Sequence, residues 1–371
     1  MIKLLIGGSP CTHWSIAQKN GRETKPEGLG WELFKNYLIA KEKFKPNYFL
    51  YENNKSAAQA IKDQISRELG VPLMHIDSSL VSAQSRKRFY AFNWEVEQPE
   101  DRGIVLRDII ETVNDEISYS FRKTVNEPVF VGEVPNHKGT YRNGKQASQQ
   151  YRVFDVDGKS YAVTTCAITN IAEPIRVGDI GSTAQAHRVY SCDGKSVTIN
   201  AGGGGQGGKT GLYLCPGTGF EKNVYLVANG FITIEDKQYP INLTDGLYII
   251  RKLTPVECER LQTLPDGYTE GVSNAQRYKA LGNGWTAEVI IHILNGVLKD
   301  VPRDEEIVVL SMYDGIGTGR YCLDKMGFTN VKYFAYEKDK YVKWLAKKNY
   351  PCIIHCGDAF DLRHPDWTIG Y

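Results

Sequence analysis

Ile2-Lys3-Leu4-Leu5-Ile6-Gly7-Gly8-Ser9-Pro10-Cys11 opens the chain with a short apolar run that stops at a glycine pair. Such a run, bounded by Gly-Gly, reads as a buried strand entering a sharp turn. The thiol of Cys11 then stands at the carboxyl end of a strand, where open α/β sheets hold their ligands. The plain alternative is a small buried apolar residue, the role of most free cysteines.

The alternation continues outward from this strand. A helix over Trp31–Phe44, a strand over Tyr48–Glu52 and a helix over Ala57–Leu69 precede strands at Met74-His75-Ile76 and Arg88–Phe92. This is the pattern of a parallel, doubly wound sheet, assigned to residues 1–94. Residues 95–250 change texture to short β-type runs broken by Gly, Asn and Asp. Arg152-Val153-Phe154-Asp155-Val156-Asp157-Gly158-Lys159-Ser160 is echoed by Arg188-Val189-Tyr190-Ser191-Cys192-Asp193-Gly194-Lys195-Ser196, and each Asp-Gly reads as a two-residue hairpin turn. The tract Gly202–Gly208 reads as a loop or a close backbone approach. Residues 251–298 return to α/β texture, with a capping box at Thr254-Pro255-Val256-Glu257 and a helix over Ala287–Leu298. The charged stretch 299–306 reads as a linker. Residues 307–371 form a βαβ unit: strand Ile307–Met312, a glycine-rich turn, helix Arg320–Met326 and strand Lys332–Tyr336. Helix Lys340–Asn349 and strand Cys352–Cys356 follow.

With 371 residues the chain has room for about two domains. A net charge of +2 announces no polyanion partner, so any nucleic-acid surface must be a local patch. The opening run is too short for a signal peptide, and no stretch approaches the ~20 apolar residues of a membrane helix. The eight cysteines include no Cys-x-x-Cys pair. Cys352, His355 and Cys356 have no second ligand pair at zinc spacing, so they read as core packing and no metal is expected. Reduced thiols fit a cytosolic chain.

Tyr313-Asp314-Gly315-Ile316-Gly317-Thr318-Gly319 joins a strand to a helix, and Glu337 ends the next strand. A glycine-rich turn lets a ligand approach the backbone, and an acid after the second strand can hold ribose hydroxyls. The third glycine arrives one residue early for a dinucleotide, which favours an adenosyl ligand without a pyrophosphate. Asp358 after the third strand suits the adenine amino group, and Tyr313 offers an aromatic face. Each acid alone reads as a solvated loop residue; their recurrence at successive strand ends favours a nucleoside site. Glu52 ends a buried strand, where a helix-start acid is the plain alternative. Gln84, Arg86 and Arg88 share one face of an extended segment, which is a solvated face unless one arginine enters the site.

These residues together resemble the cytosine-5 DNA methyltransferases. The resemblance rests on Gly8-Ser9-Pro10-Cys11, Glu52-Asn53, Gln84-Ser85-Arg86-Lys87-Arg88, Asp314–Gly319, Arg251–Gln262 and Leu281-Gly282-Asn283-Gly284-Trp285. The family's Glu-Asn-Val is Glu52-Asn53-Asn54 here. The turn and Trp285 look similar to de novo type and phage-type members. The resemblance implies a doubly wound, Rossmann-like methyltransferase sheet that binds S-adenosyl-L-methionine, with an inserted, mostly-β target-recognition domain. The nucleophile motif precedes the cofactor motif, opposite to the family's usual order, so the chain reads as circularly permuted.

The resemblance also implies roles. Cys11 adds to carbon 6 of a flipped-out cytosine, Glu52 donates to ring N3, and Arg86, with Arg88 beside it, orients the base and Glu52. Tyr313, Asp314, Gly315, Ile316, Gly317, Thr318, Gly319, Glu337, Asp358, Asn283 and Trp285 hold the cofactor. The polar loop Thr12–Gly28 closes over the base. The implied partner is double-stranded DNA, with a cognate restriction endonuclease where the enzyme serves a restriction–modification system. The chain itself reads as cytoplasmic and monomeric. Residues 118–217 carry eleven Lys/Arg against seven Asp/Glu, a surplus of four. Ser15, Gln84, Arg152, Arg188 and Lys209 are the candidates to meet DNA, with solvated hairpin charges the alternative. A tRNA cytosine-5 methyltransferase and a catalytically inactive DNA-binding relative are the rival readings.

Overall fold

The structure, a computed structural model, describes residues 1–15, 21–111, 130–133, 152–154, 174, 176–180, 188–192, 194–199, 212–216, 224–234, 237–243 and 245–369. The amino-terminal part comprises β1 (Ile2–Gly7), α1 (Gly28–Phe44), β2 (Tyr48–Asn54), α2 (Gln59–Leu69), β3 (Met74–Asp77) and β4 (Lys87–Phe92). The middle holds β5 (Phe130–Glu133), β6 (Arg152–Phe154), β7 (Arg176–Asp179), β8 (Arg188–Ser191), β9 (Leu212–Pro216), β10 (Val224–Ala228), β11 (Phe231–Ile234), β12 (Lys237–Pro240) and β13 (Gly246–Arg251). Then come α3 (Pro255–Leu261), α4 (Asn274–Asn283), α5 (Ala287–Leu298), β14 (Ile307–Met312), α6 (Thr318–Lys325), β15 (Val331–Tyr336), α7 (Lys340–Asn349) and β16 (Ile354–Gly357).

Among the described residues, seven strands form a central sheet in the order β16-β15-β14-β1-β2-β4-β3. The amino-terminal strand thus lies in its middle, where β1 runs parallel between β14 and β2. Strand residues alternate between two cores, as the period of two requires. Leu4, Ile6, Leu50, Val309 and Tyr333 face the core that contains α5 and α6. Leu5, Phe49, Tyr51, Leu310 and Phe334 face the one that contains α1 and α2. Helices on both faces explain why these strands read as nearly continuous apolar runs.

The sheet is mostly, not wholly, parallel. β4 runs antiparallel to both β2 and β3, because the short connection from β3 holds no crossover helix, which a parallel return needs. The capping box at α3 is present: Thr254 accepts from the Glu257 amide, and Glu257 Oε2 accepts from the Thr254 amide at 2.7 Å. The charged segment 299–306 is folded onto its neighbours. Arg303 donates to the carbonyls of Leu298, Lys299 and Val301 and lies over Phe328 at 4.6 Å.

Two further expectations are corrected. β8 does not turn back on itself in a hairpin after Ser191, since it pairs antiparallel with the preceding β7 and parallel with β9, and Asp193 lies outside the described residues. After Gly194 the chain crosses to the amino-terminal part instead, where Lys195 is fully buried and donates to the carbonyls of Ser79, Ser82 and Ile104. Cys352 is exposed and Cys356 half-buried, so the core position at this edge belongs to Ile353. The Asp157-Gly158 turn and the tract Gly202–Gly208 lie outside the described residues. Among the described residues, no helix is long and apolar enough to cross a membrane.

Candidate active site

Strand register builds the site. Gly7 pairs with Met312 on one side and with Tyr51 on the other, and Met312 pairs with Tyr336. Gly8, Glu52, Tyr313 and Glu337 therefore follow one another along a single sheet edge. β14 leads outward to β15 and β1 outward to β2, so this edge is the point where the winding reverses and a crevice opens.

The Gly8–Pro10 segment is held closely against β2. A β-carbon on Gly8 would lie 2.5 Å from the Glu52 carbonyl oxygen and 3.1 Å from its Oε2, so only glycine fits there. Asn53 Nδ2 donates to the Ser9 carbonyl at 2.9 Å, and the Ser9 hydroxyl lies 2.7 Å from the Tyr51 hydroxyl. Cys11 begins a short 3₁₀ turn, Cys11–His13, directly after this anchored segment. Among the described residues the Glu52 carboxylate has two partners: Arg88 Nε lies 3.0 Å from Oε1, and the Trp285 indole N–H donates to Oε2 at 3.2 Å.

The ion pair to Glu52 is thus made by Arg88. Arg86, expected to orient the acid, instead donates to the carbonyls of Gly282 at 3.0 Å, Gly284 at 2.9 Å and Ile199 at 3.3 Å. It ties the turn that carries Trp285 to β4 and to the middle block. Trp285, expected on the cofactor, reaches the acid through a contact 233 residues apart in sequence, which no local pattern signals. Asn283 ends α4 exposed.

The turn after β14 is differently furnished. Tyr313 has a left-handed backbone, φ 59°, unusual for a bulky residue. Its hydroxyl donates to the Leu33 carbonyl at 2.7 Å and accepts from Asn36 at 3.3 Å, which anchors it to α1. Asp314 Oδ1 accepts from Ser311 at 2.7 Å and Tyr333 at 2.6 Å, but Oδ2 is buried with no partner, as is Thr318 Oγ1. Burial pushes the Asp314 carboxyl up to about 6. Gly315, at φ 67°, has open space where a side chain would stand. Gly319 packs against Ile6 and Tyr333 and admits no β-carbon. Between them, Ile316 is buried and Gly317 is the left-handed cap of α6. Glu337 accepts the amides of Gly315, Lys338 and Asp339 at 3.1, 2.8 and 2.9 Å, and burial raises its pKa. Asp358 caps a short 3₁₀ helix, accepting from the Phe360 amide at 3.0 Å. Two orphaned acceptors beside an open glycine suit a small polar ligand with donors of its own.

A family model described as C-5 cytosine-specific DNA methylase matches residues 1–299. The chain belongs to that family. It is similar to the type II methyltransferase M.HhaI of Haemophilus parahaemolyticus, 26% identical over 78% of this chain and 74% of that protein. It is also similar to the orphan methyltransferase M.Rho11sI of Bacillus phage rho11s, 25% identical over 81% of this chain and 86% of that protein. Among solved structures, it resembles the Entamoeba histolytica methyltransferase EhMeth with a TM-score of 0.41 and 13% identity, covering 81% of this chain and 78% of that one.

For a DNA cytosine-5 methyltransferase, the DNA-facing candidates are scattered. Gln84 is fully buried, and neither its amide oxygen nor its nitrogen has a partner, so it offers DNA no surface. Its backbone bridges to Ser196. Ser15 is half-buried and accepts from Asn54 at 3.5 Å. Arg188 opens β8 half-buried, Arg152 opens β6, and Lys209 lies outside the described residues. Of the loop expected to close, residues 16–20 lie outside the described residues. The flanking parts are tied down by Trp14 donating to Glu23 at 3.0 Å and Arg22 donating to the Trp14 carbonyl at 3.1 Å.

Proposed function

We propose that this methyltransferase transfers a methyl group from S-adenosylmethionine to carbon 5 of a cytosine flipped out of double-stranded DNA, with Cys11 as nucleophile. One observation carries the reading: the register that sets Gly8, Glu52, Tyr313 and Glu337 side by side at the reversal of a mostly parallel sheet. It brings the nucleophile loop from one end of the chain against the glycine-rich turn from the other.

Carbon 5 of cytosine is a weak nucleophile, and covalent addition makes it enamine-like. The Cys11 thiolate forms an S–C6 bond, the displaced electron pair passes into the ring, and N3 takes a proton that the Glu52 carboxylate first picks up from water. Arg88, paired to Glu52, steadies the acid. The cofactor, when bound, supplies an electrophilic methyl group. Asp314, Thr318, Gly315 and Glu337 would hold and orient it. Carbon 5, once methylated, loses its proton to water, the returning electron pair expels the thiolate from carbon 6, and N3 hands its proton back to Glu52. Reaching the base costs a few kcal/mol of unpairing and unstacking. By the family resemblance, residues 95–250 form the target-recognition domain between catalytic segments 1–94 and 251–298, and 307–371 form the cofactor-binding half. In that reading the chain is permuted, β14 being the strand that a family member in the usual order would meet first. It can serve a restriction–modification system or stand alone as an orphan enzyme.

Cys11→Ala should abolish methyl transfer from tritiated cofactor to duplex DNA. A duplex with 5-fluorocytosine at the target should trap the wild-type chain covalently, because fluorine cannot leave as a proton does. Trapping should need both Cys11 and the cofactor. Full activity in Cys11→Ala overturns the mechanism, and transfer to tRNA alone overturns the substrate.

A further inference from the structure

Glu52 has a soft terminal torsion, so the plane of its carboxyl is fixed by its partners rather than by its own rotamer. Arg88 holds Oε1 at 3.0 Å, and one such contact leaves the group free to turn about it. The second contact comes from Trp285, whose N–H reaches Oε2 at 3.2 Å. Trp285 follows Gly284, whose carbonyl is bound by Arg86 at 2.9 Å and whose amide donates to Ala280 at 2.8 Å. A β-carbon on Gly284 would lie 3.9 Å from Ile316, the middle of the turn after β14. Ile316 is itself fixed by the Tyr268 hydroxyl on its carbonyl at 3.0 Å.

We propose that Trp285 is a positioning residue for Glu52: its indole N–H, opposite Arg88, fixes the carboxyl plane and aims the acid at the flipped base. This deepens the proposed function and rests on it, since it takes Glu52 as the donor to ring N3. Among the described residues each carboxyl oxygen accepts one bond, which leaves a position on it for the proton given to N3, so both partners can stay while the base binds. The aim of the acid is then set from a turn that also packs beside the cofactor loop.

Trp285→Phe in the full chain removes the N–H and keeps an aromatic ring. A hydrogen bond to a charged group stabilises enough that its loss should lower kcat roughly tenfold or more. The KM values for S-adenosylmethionine and for duplex DNA should stay within about twofold, because the lost contact acts on the acid rather than on binding. In a Glu52→Gln background, followed with tritiated cofactor, Trp285→Phe should cost nothing further, as required of a residue that acts only through Glu52. Calorimetric cofactor binding confirms that the variant is folded, and Trp285→Tyr provides the same cycle if the Phe variant is not. An unchanged kcat with a raised cofactor KM makes the indole a cofactor wall and overturns the proposal. So do losses that add in the double variant. A wild-type chain that transfers no methyl group to carbon 5 overturns the functional reading itself, which separates the two failures.

Discussion

After β1 and β2, the buried polar groups at the sheet edge are bonded to one another: Ser9 to Tyr51 and Asn53, and Glu52 to Arg88 and Trp285. After β14, Asp314 Oδ2 and Thr318 Oγ1 are equally buried and bonded to nothing. The two turns are neighbours on the same edge, so solvent access does not separate them. On the proposed function, what separates them is the kind of partner each awaits. A group that must hold a fixed aim gains from being assembled in advance, since nothing then reorganises during reaction. A group that receives and releases a small molecule at each turnover must stand unpaired between visits, at a cost in stability.

The largest test of this contrast removes a partner from the assembled side. Glu52 and Arg88 are both nearly buried, with side chains 13% and 9% exposed. Arg88→Ala would leave the carboxylate with Trp285 alone, and breaking a buried pair in this way destabilises by about 4 kcal/mol. Urea unfolding should show that loss together with a fall in kcat. A variant within about 0.5 kcal/mol of wild type would mean that solvent, and not Arg88, sustains the charge.

The choice between the two arginines also shows how far sequence reaches. Period two places Gln84, Arg86 and Arg88 on one face and cannot rank them. The register ranks them: Asn54 stands opposite Arg88 and Glu52 opposite Tyr90, so Arg88 is the diagonal neighbour of the acid and Arg86 lies one pair further off. Strands β1 and β14 were legible because buried parallel strands are continuous apolar runs ending in glycine turns. The chemistry-bearing turns were legible because their glycines allow approaches that no other residue permits. The antiparallel insertion of β4, the contact from Trp285 to Glu52 and the burial of Lys195 were not. Each depends on a pairing between segments far apart in the chain, and a lysine after Asp-Gly looks the same whether it ends in water or on three carbonyls.

The open side predicts a pH dependence. Burial raises the Asp314 carboxyl from 3.8 to about 6, so the folded protein binds this proton more tightly than the unfolded chain. The stability tied to it is fully present below about pH 4 and is lost as pH rises through 6, by up to about 3 kcal/mol. Thermal melts of the cofactor-free chain against Asp314→Asn should show the difference between the two shrinking or reversing across that window. Affinity for the cationic cofactor should move the opposite way, rising with pH through 6 in wild type and staying flat in Asp314→Asn. Parallel curves for the two proteins would show that Oδ2 is solvated and that the turn is not an open site.

The smallest effect lies at Gln84, where the contrast can be broken outright. It sits on the assembled side, one strand-face position from Arg86, yet its buried amide is as unpartnered as Asp314 Oδ2. If the amide is only a misplaced polar group, Gln84→Leu removes an unsatisfied donor and acceptor while keeping most of the volume. It should then raise stability by about 1–2 kcal/mol in urea unfolding and leave methyl transfer unchanged. If the joint between β4 and Ser196 shifts when DNA binds, the amide has a partner only in that state, and the same variant should be more stable and slower. A variant less stable than wild type would mean that the amide is bonded in the free protein, and the assembled side would then be complete without exception. The kinetic arm decides between the first two: a gain in stability that comes with a loss in kcat marks a polar group kept for what it meets during turnover, the role proposed for Asp314, and not for the resting fold.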